Sequence, residues 1–198
     1  MKFGQYLKEA KEKTVYFAFG RFNPPTSGHA KLVQKISSIA GSDDWFVFGS
    51  NSQDPKKNPF PADRKLYWLH KMFPRYRRNI QIDSKIKTFI QALAYLHKMG
   101  KYDHVVMVAG QDRLAEFQNM LDKYNGYEAR DFFEFKTAKV VSAGERDPDA
   151  DDVTGMSASK LRALAVENNF EEFKKGVVLD ETQAKEMFFE LRKHMKVK

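Results

Sequence analysis

The chain has 198 residues and no cysteine, so it is long enough for one α/β domain with a hydrophobic core, while disulfides and thiolate metal sites are excluded. The formal net charge is +8, but residues 1–13 contribute +2 and residues 174–198 contribute +3. Only +3 is left for the 160 residues between them, so we expect no nucleic-acid-binding face on the core. Apolar runs stay well short of the roughly 20 residues of a membrane span, and no secretory signal begins the chain, so we expect a cytoplasmic protein without a membrane partner.

The first 13 residues are expected to form an N-terminal extension or a short helix packed on the domain. Phe3, Tyr6 and Leu7 follow the spacing of one apolar helix face. An alternative rests on the stretch 7–10, LKEA, which resembles the leader and L-x-E cleavage site of internal head proteins of tailed bacteriophages. That alternative predicts the host cytoplasm or a phage head as the location and a mature chain that begins at Ala10.

The next segment has the order strand, glycine-bearing loop, helix. An apolar strand is predicted at 14–19, the loop reads GRFNPPTSGH over 20–29, and a helical pattern follows at 29–40. The start of a helix offers unpaired backbone N–H groups and the positive end of the helix dipole, which favour a phosphate. Nucleotide chemistry is therefore the first hypothesis for this loop.

Strand and helix patterns continue to alternate along the rest of the chain. Further strands are predicted at 45–49, 79–83, 104–109 and 135–142, and further helices at 62–73, 87–99, 112–124 and 157–167. Several strands are continuous apolar runs, which is typical of strands covered on both faces. The pattern predicts an α/β fold with a doubly wound, mainly parallel five-stranded sheet and helices on both faces.

The C-terminal segment is expected to be helical and to pack on the domain through Phe188, Phe189 and Leu191. We therefore expect three parts: the extension 1–13, a main domain over 14–167, and a helical tail over 168–198. The histidines show no metal-ligand spacing, so no protein-built metal site is expected.

Two further motifs lie at predicted starts of helices. The stretch 155–162 reads GMSASKLR, in which Ser157 is a natural N-cap and Ser159, Lys160 and Arg162 add donors and charge that suit a polyphosphate. The stretch 108–113 reads VAGQDR and ends a strand with glycine; its aspartate, Asp112, stands at another predicted helix start, where it could serve only as a helix cap.

The first two motifs resemble the signatures of the nucleotidyltransferase α/β-phosphodiesterase superfamily. GRFNPPTSGH resembles the (H/T)xGH signature. GMSASKLR resembles the ISSTxxR signature, with Met156 in place of Ile, Ala158 in place of the second Ser and Ser159 in place of Thr. Three features are most similar to nicotinamide-nucleotide adenylyltransferases: Thr26 at the first position of the (H/T)xGH signature, the VAGQDRLAEF segment and the KKNPFPADRK loop. Cytidylyltransferases and pantetheine-phosphate adenylyltransferases share the main signatures, so the substrate stays open.

The resemblance implies direct attack of an acceptor on the α-phosphate of a nucleoside triphosphate, with pyrophosphate leaving and Mg²⁺ held mainly through substrate phosphates. It implies catalytic roles for His29, Arg162 and Thr26. It implies nucleotide-binding roles for Gly20, Arg21, Phe22, Asn23, Gly28, Gly110, Asp112, Ser157, Ser159 and Lys160. Because Thr26 cannot donate a proton as an imidazolium does, stabilisation of charge falls to His29, Arg162, Mg²⁺ and backbone N–H groups.

Three functions follow in order of preference. The first is an adenylyltransferase that joins ATP to nicotinamide mononucleotide to give NAD. The second is a cytidylyltransferase or another adenylyltransferase of the same fold. The third is a non-catalytic nucleotide-binding or phage-packaged protein, against which the intact His29 and Arg162 argue. The sequence leaves the oligomeric state open.

Overall fold

The computed structural model describes residues 12–144 and 156–197; the proposed leader and its cleavage site lie outside these residues. Within them the chain forms five strands: β1 (Thr14–Gly20), β2 (Asp44–Gly49), β3 (Ile80–Gln81), β4 (His104–Ala109) and β5 (Thr137–Ser142). It forms seven α-helices: α1 (Ser27–Ala40), α2 (Ala62–Met72), α3 (Phe89–Lys98), α4 (Leu114–Tyr124), α5 (Ala158–Val166), α6 (Phe170–Lys175) and α7 (Glu181–Met195). Two short 3-10 helices cover Pro74–Tyr76 and Gln111–Arg113.

The strands form one parallel sheet in the order β3-β2-β1-β4-β5, which confirms the predicted doubly wound architecture. The strand predicted at 79–83 is shorter than expected, because only Ile80 and Gln81 pair with β2. Among the described residues no helix is both long and apolar enough to span a membrane.

Helices cover both faces of the sheet, as the apolar strands require. Neighbouring residues of β1 point to opposite sides: Ala18 joins one buried cluster and Phe17 the other. The first cluster contains the apolar faces of α1, α2, α5, α6 and α7, and the second contains those of α3 and α4.

The sheet opens between β1 and β4 at its carboxyl end. These two strands pair only from Thr14–His104 to Phe17–Met107, whereas β1 and β2 stay paired up to Gly20–Gly49. The order of the strands reverses at this point, since β2 follows on one side of β1 and β4 lies on the other. Such a switch point forms a crevice beyond the strand ends, where ligands of open α/β sheets bind.

The C-terminal helices pack closely against the start of α1 and against α5. The N–H of Ser27 donates to the carbonyl oxygen of Gly176 at 2.8 Å. A Cβ atom at position 176 would lie 2.3 Å from Cγ of Met156, so a glycine is required for this close approach. The predicted anchors Phe188 and Leu191 are buried, but Phe189 is wrong as an anchor because its side chain is 53% exposed.

Candidate active site

The loop after β1 is shaped by the packing of one phenylalanine against the strand that precedes it. Phe22 has a left-handed φ of 47° and its ring is buried over Gly20. A Cβ atom at Gly20 would lie 2.9 Å from the ring, which explains the glycine at the end of β1. The Phe22 ring also packs edge-to-face with the imidazole of His29, with 4.8 Å between ring centroids.

The orientation of His29 is fixed by the residue that caps its helix. Thr26 and His29 are the N-cap and N3 positions of a capping box at the start of α1. The backbone N–H of Thr26 donates to Nδ1 of His29 at 2.9 Å, and the Thr26 hydroxyl oxygen lies 3.1 Å from the same atom. Because Nδ1 accepts, the neutral ring carries its proton on Nε2, which is thereby a donor.

The start of α1 differs from the simple phosphate cradle that the sequence predicted. The N–H of Thr26 donates a hydrogen bond to Nδ1 of His29, and the N–H of Ser27 donates one to the carbonyl oxygen of Gly176. The expectation of unpaired amides is therefore wrong for these two groups, because a capping side chain and the C-terminal segment satisfy them. At the start of α1, the Nε2–H donor of His29 therefore stands in for part of the backbone N–H donors that were expected there. Gly28 lies in the first turn of the same helix.

Arg162 reaches the same loop from the far end of the chain. Its Nη1 donates to the carbonyl oxygen of Asn23 at 2.7 Å, across 139 residues of sequence, and its Nη2 donates to Oγ of Ser159 at 3.0 Å. The two sequence motifs thus meet in space, with His29 and Arg162 both in contact with residues 22–26.

The guanidinium of Arg162 lies in surroundings that favour an anion. Burial and the positive charge of Arg21 lower its pKa, and Asp54 opposes this effect. No salt bridge to a described carboxylate neutralises either arginine. A guanidinium whose charge is disfavoured by burial and by a neighbouring cation is stabilised by a bound anion such as a phosphate.

The helix that carries Arg162 begins as predicted. Ser157 is the N-cap of α5, and its hydroxyl accepts the N–H of Lys160 at 3.1 Å. This contact confirms its role as a cap. The side chains of Ser159 and Lys160 lie on the exposed part of the first turn. Their binding of a triphosphate stays a prediction.

The motif after β4 lies at the other side of the crevice. Gly110 follows the strand directly, and a Cβ atom there would lie 2.7 Å from Oδ1 of Asp112. Asp112 lies inside the 3-10 helix Gln111–Arg113, which is capped by Gly110, while Arg113 is the N-cap of α4. The alternative that Asp112 is a helix cap is therefore wrong, and the helix predicted at 112–124 begins two residues later. The exposed carboxylate of Asp112 stays a candidate ligand.

Three of the predicted site residues have buried side chains. Phe22, Asn23 and Thr26 are 2%, 1% and 2% exposed. Asn23 forms a reciprocal pair with the backbone of Phe60: Nδ2 donates to the carbonyl oxygen at 2.9 Å, and the N–H donates to Oδ1 at 3.0 Å. These residues shape the loop, whereas Arg21 and His29 are the side chains on its more open side.

One buried cation near the strand ends was missed by the sequence analysis. Lys65 in α2 is fully buried, and its Nζ donates a hydrogen bond to the carbonyl oxygen of Ser50. The N–H of Ser50 in turn donates to the carbonyl oxygen of Gly20 at 2.8 Å. Lys65 thus ties the end of β2 to the helix behind it. A lysine one position after an arginine on a helix carries no sequence signal of burial.

Burial lowers the pKa of Lys65 to about 8, and this gives a prediction for stability. Between pH 8 and 10.5 the unfolded chain binds more protons at this residue than the folded chain, so its contribution to stability rises with pH. We expect the free energy of unfolding of wild type, relative to Lys65→Met, to rise by up to about 3 kcal/mol across this window. Urea unfolding of both proteins at several pH values measures the difference; parallel curves would contradict it.

Comparisons with known proteins place the chain in a family. A model of the cytidylyltransferase-like family matches residues 17–182. The chain belongs to the cytidylyltransferase-like family, and as a member of that family it is a nucleotidyltransferase. A search of curated proteins finds no match.

Solved structures with a similar fold include two proteins described as adenylyltransferases. One, assigned as a nicotinate-nucleotide adenylyltransferase of Vibrio parahaemolyticus, is 12% identical, with a TM-score of 0.58 over 89% of this chain and 99% of that one. The other is the nicotinic acid mononucleotide adenylyltransferase of Plasmodium falciparum. Complexed with NaAD it is 14% identical, with a TM-score of 0.55 over 90% of this chain and 98% of that one, and complexed with APC its TM-score is 0.54. At these identities the likeness concerns the fold.

Proposed function

We propose that the protein transfers a nucleotidyl group from a nucleoside triphosphate to a phosphorylated acceptor and releases pyrophosphate. One observation carries the proposal: Arg162 donates to the carbonyl oxygen of Asn23, in the same loop that orients His29. Two side chains able to donate to phosphate oxygens, from α1 and α5, thereby contact one loop at the switch point of the sheet.

In the proposed reaction a phosphate oxygen of the acceptor attacks the α-phosphorus of the triphosphate. A new P–O bond forms, the bond to the β-phosphate oxygen breaks, and the electron pair leaves with pyrophosphate. Nε2–H of His29 donates to a non-bridging oxygen of the α-phosphate, and Arg162 with Arg21 balances the charge of the departing pyrophosphate. Such a reaction needs positioning and charge stabilisation more than proton transfer, which fits a threonine at position 26.

Mg²⁺ fits this site as a substrate-bound ion. The site offers imidazole and guanidinium donors, and no group of three or more described His, Asp or Glu residues is arranged to hold a metal. The ion would be held by phosphate oxygens and water, as is usual for Mg²⁺ at polyphosphates, and would neutralise part of the charge on the triphosphate.

For the substrates we favour ATP and nicotinamide mononucleotide, with NAD as the product. The support is the GRFNPPT and NPFP stretches and the likeness in fold to two nicotinate-type adenylyltransferases. The second candidate is a cytidylyltransferase, because the family model carries that description. A non-catalytic nucleotide-binding protein is the third.

Pyrophosphate release measured over a matrix of triphosphates and acceptors separates these candidates. ATP and CTP are each combined with nicotinamide mononucleotide, nicotinic acid mononucleotide, phosphocholine and phosphopantetheine, in the presence of Mg²⁺. We expect the highest kcat/KM with ATP and nicotinamide mononucleotide. Activity with CTP and silence with ATP would reject the adenylyl assignment, and ATP binding without turnover in every pair would favour the third candidate.

A further inference from the structure

We propose that Asn23 is a positioning residue that sets the place of the Arg162 guanidinium without touching the nucleotide. The proposal rests on the proposed function of the site. It replaces the expectation from the sequence that Asn23 binds nucleotide directly. The side chain of Asn23 is 1% exposed, so in this conformation it offers no surface to a ligand.

The side chain of Asn23 is fixed on both of its polar atoms. It donates to and accepts from the backbone of Phe60, a residue 37 positions away whose own side chain is fully buried. Both amide functions are used inside the protein, where an unpaired polar group is costly. The NPFP stretch over 58–61 and the loop after β1 are thereby locked together.

The backbone of Asn23 carries this position to Arg162. Its carbonyl oxygen accepts a hydrogen bond from Nη1 of Arg162 at 2.7 Å, and Oγ of Ser159 accepts one from Nη2 at 3.0 Å. Two acceptors define the plane of the guanidinium, and with it the direction of the N–H groups that remain for a phosphate. A rotation of the peptide after Asn23 would therefore turn the guanidinium away from its ligand.

The same clamp extends to the C-terminal helix. The ring of Phe60 packs against His194 of α7, with 5.7 Å between ring centroids. Arg64, in the helix after the NPFP stretch, forms a two-fold ion pair with Glu190 at 2.6 and 2.7 Å. Because α7 contacts both Phe60 and Arg64, the position of Phe60 is fixed, and its backbone supports the Asn23 side chain.

The test compares Asn23→Asp and Asn23→Ala with a matched control, Asn125→Asp. Asn125 forms the same reciprocal pair with the backbone of Phe135, at 3.0 and 2.9 Å, beside α4. We expect both Asn23 variants to lower kcat/KM for the triphosphate by about 10- to 100-fold, mostly through KM, because a shifted charged donor weakens binding. Asn125→Asp lowers the melting temperature and leaves kcat/KM per folded molecule unchanged.

The decisive arm repeats Asn23→Ala in an Arg162→Ala background. If Asn23 acts through Arg162, the second substitution lowers kcat/KM no further. An equal loss in both backgrounds, or Asn23 variants with wild-type kcat/KM, would overturn the proposal. Wild-type protein that releases no pyrophosphate with any substrate pair would instead refute the proposed function. The dissociation constant for ATP, measured by calorimetry in the same set of variants, then tests Asn23 alone.

Discussion

Arg162→Ala is expected to lower kcat/KM by roughly 10²- to 10³-fold, as for the loss of a charged donor to the transition state. The guanidinium is the charged group that the second motif brings to the loop of the first, and its pKa is already lowered by burial and by Arg21. Arg162→Lys keeps the charge but cannot bond to Asn23, to Ser159 and to a phosphate in one plane, so an intermediate loss is expected.

A suitable control for Arg162 is Arg77→Ala. Arg77 also donates to a backbone carbonyl, that of His70 at 3.3 Å, but it lies on the exposed segment after α2. Its loss removes the same charge from the protein and leaves turnover unchanged. Steady-state kinetics of the three variants at saturating acceptor measure the effect, and an Arg162→Ala enzyme within threefold of wild type would show that the site is wrongly assigned.

His29→Glu is expected to abolish most turnover, by roughly 10²-fold or more, while the fold is kept. Glutamate at N3 of a capping box accepts the N-cap N–H, as Nδ1 of His29 does from Thr26, and its charge suits the start of a helix. The same carboxylate repels the phosphate that Nε2–H would bind. Activity and stability are therefore separated in one variant.

His29→Ala completes this comparison. It removes the acceptor of the buried Thr26 N–H as well as the imidazole, so it is expected to lose turnover and about 1–3 kcal/mol of stability. Pyrophosphate release and urea unfolding measure the two effects. A His29→Glu protein with near-normal turnover, or one that unfolds as easily as His29→Ala, would contradict the role given to this residue.

The sheet could be predicted from the sequence because its strands are continuous apolar runs with helical patterns between them. The positions of β1, β2 and β4 follow from these runs to within one residue, and the parallel pairing of the strands was expected. The edge strand β3 was overestimated, because Ile82 leaves the ladder and packs against Gly49 instead. Edge pairing depends on the neighbouring chain and carries no periodic signal.

The placement of the candidate site, at two motifs that lie at the starts of helices, was predictable, but the contacts inside it were not. The sequence places His29 and Arg162 at such starts, and the parallel sheet brings those ends together. The sequence gives no sign of the hydrogen bond from Ser27 to Gly176, because this contact depends on how the last helices pack against the start of α1. The burial of Asn23 and Lys65 likewise depends on distant segments of the chain. Short polar stretches look alike whether they face solvent or lie inside a loop.

The most direct test of the central claim is the stoichiometry of the reaction with ATP, nicotinamide mononucleotide and Mg²⁺. Pyrophosphate and the dinucleotide product are measured together, the second by mass spectrometry, in wild type and in Arg162→Ala. We predict one pyrophosphate for each dinucleotide formed, release that depends on the acceptor, and loss of both products in the variant. Pyrophosphate release without an acceptor, or no dinucleotide from any triphosphate and acceptor pair, would contradict nucleotidyl transfer at this site.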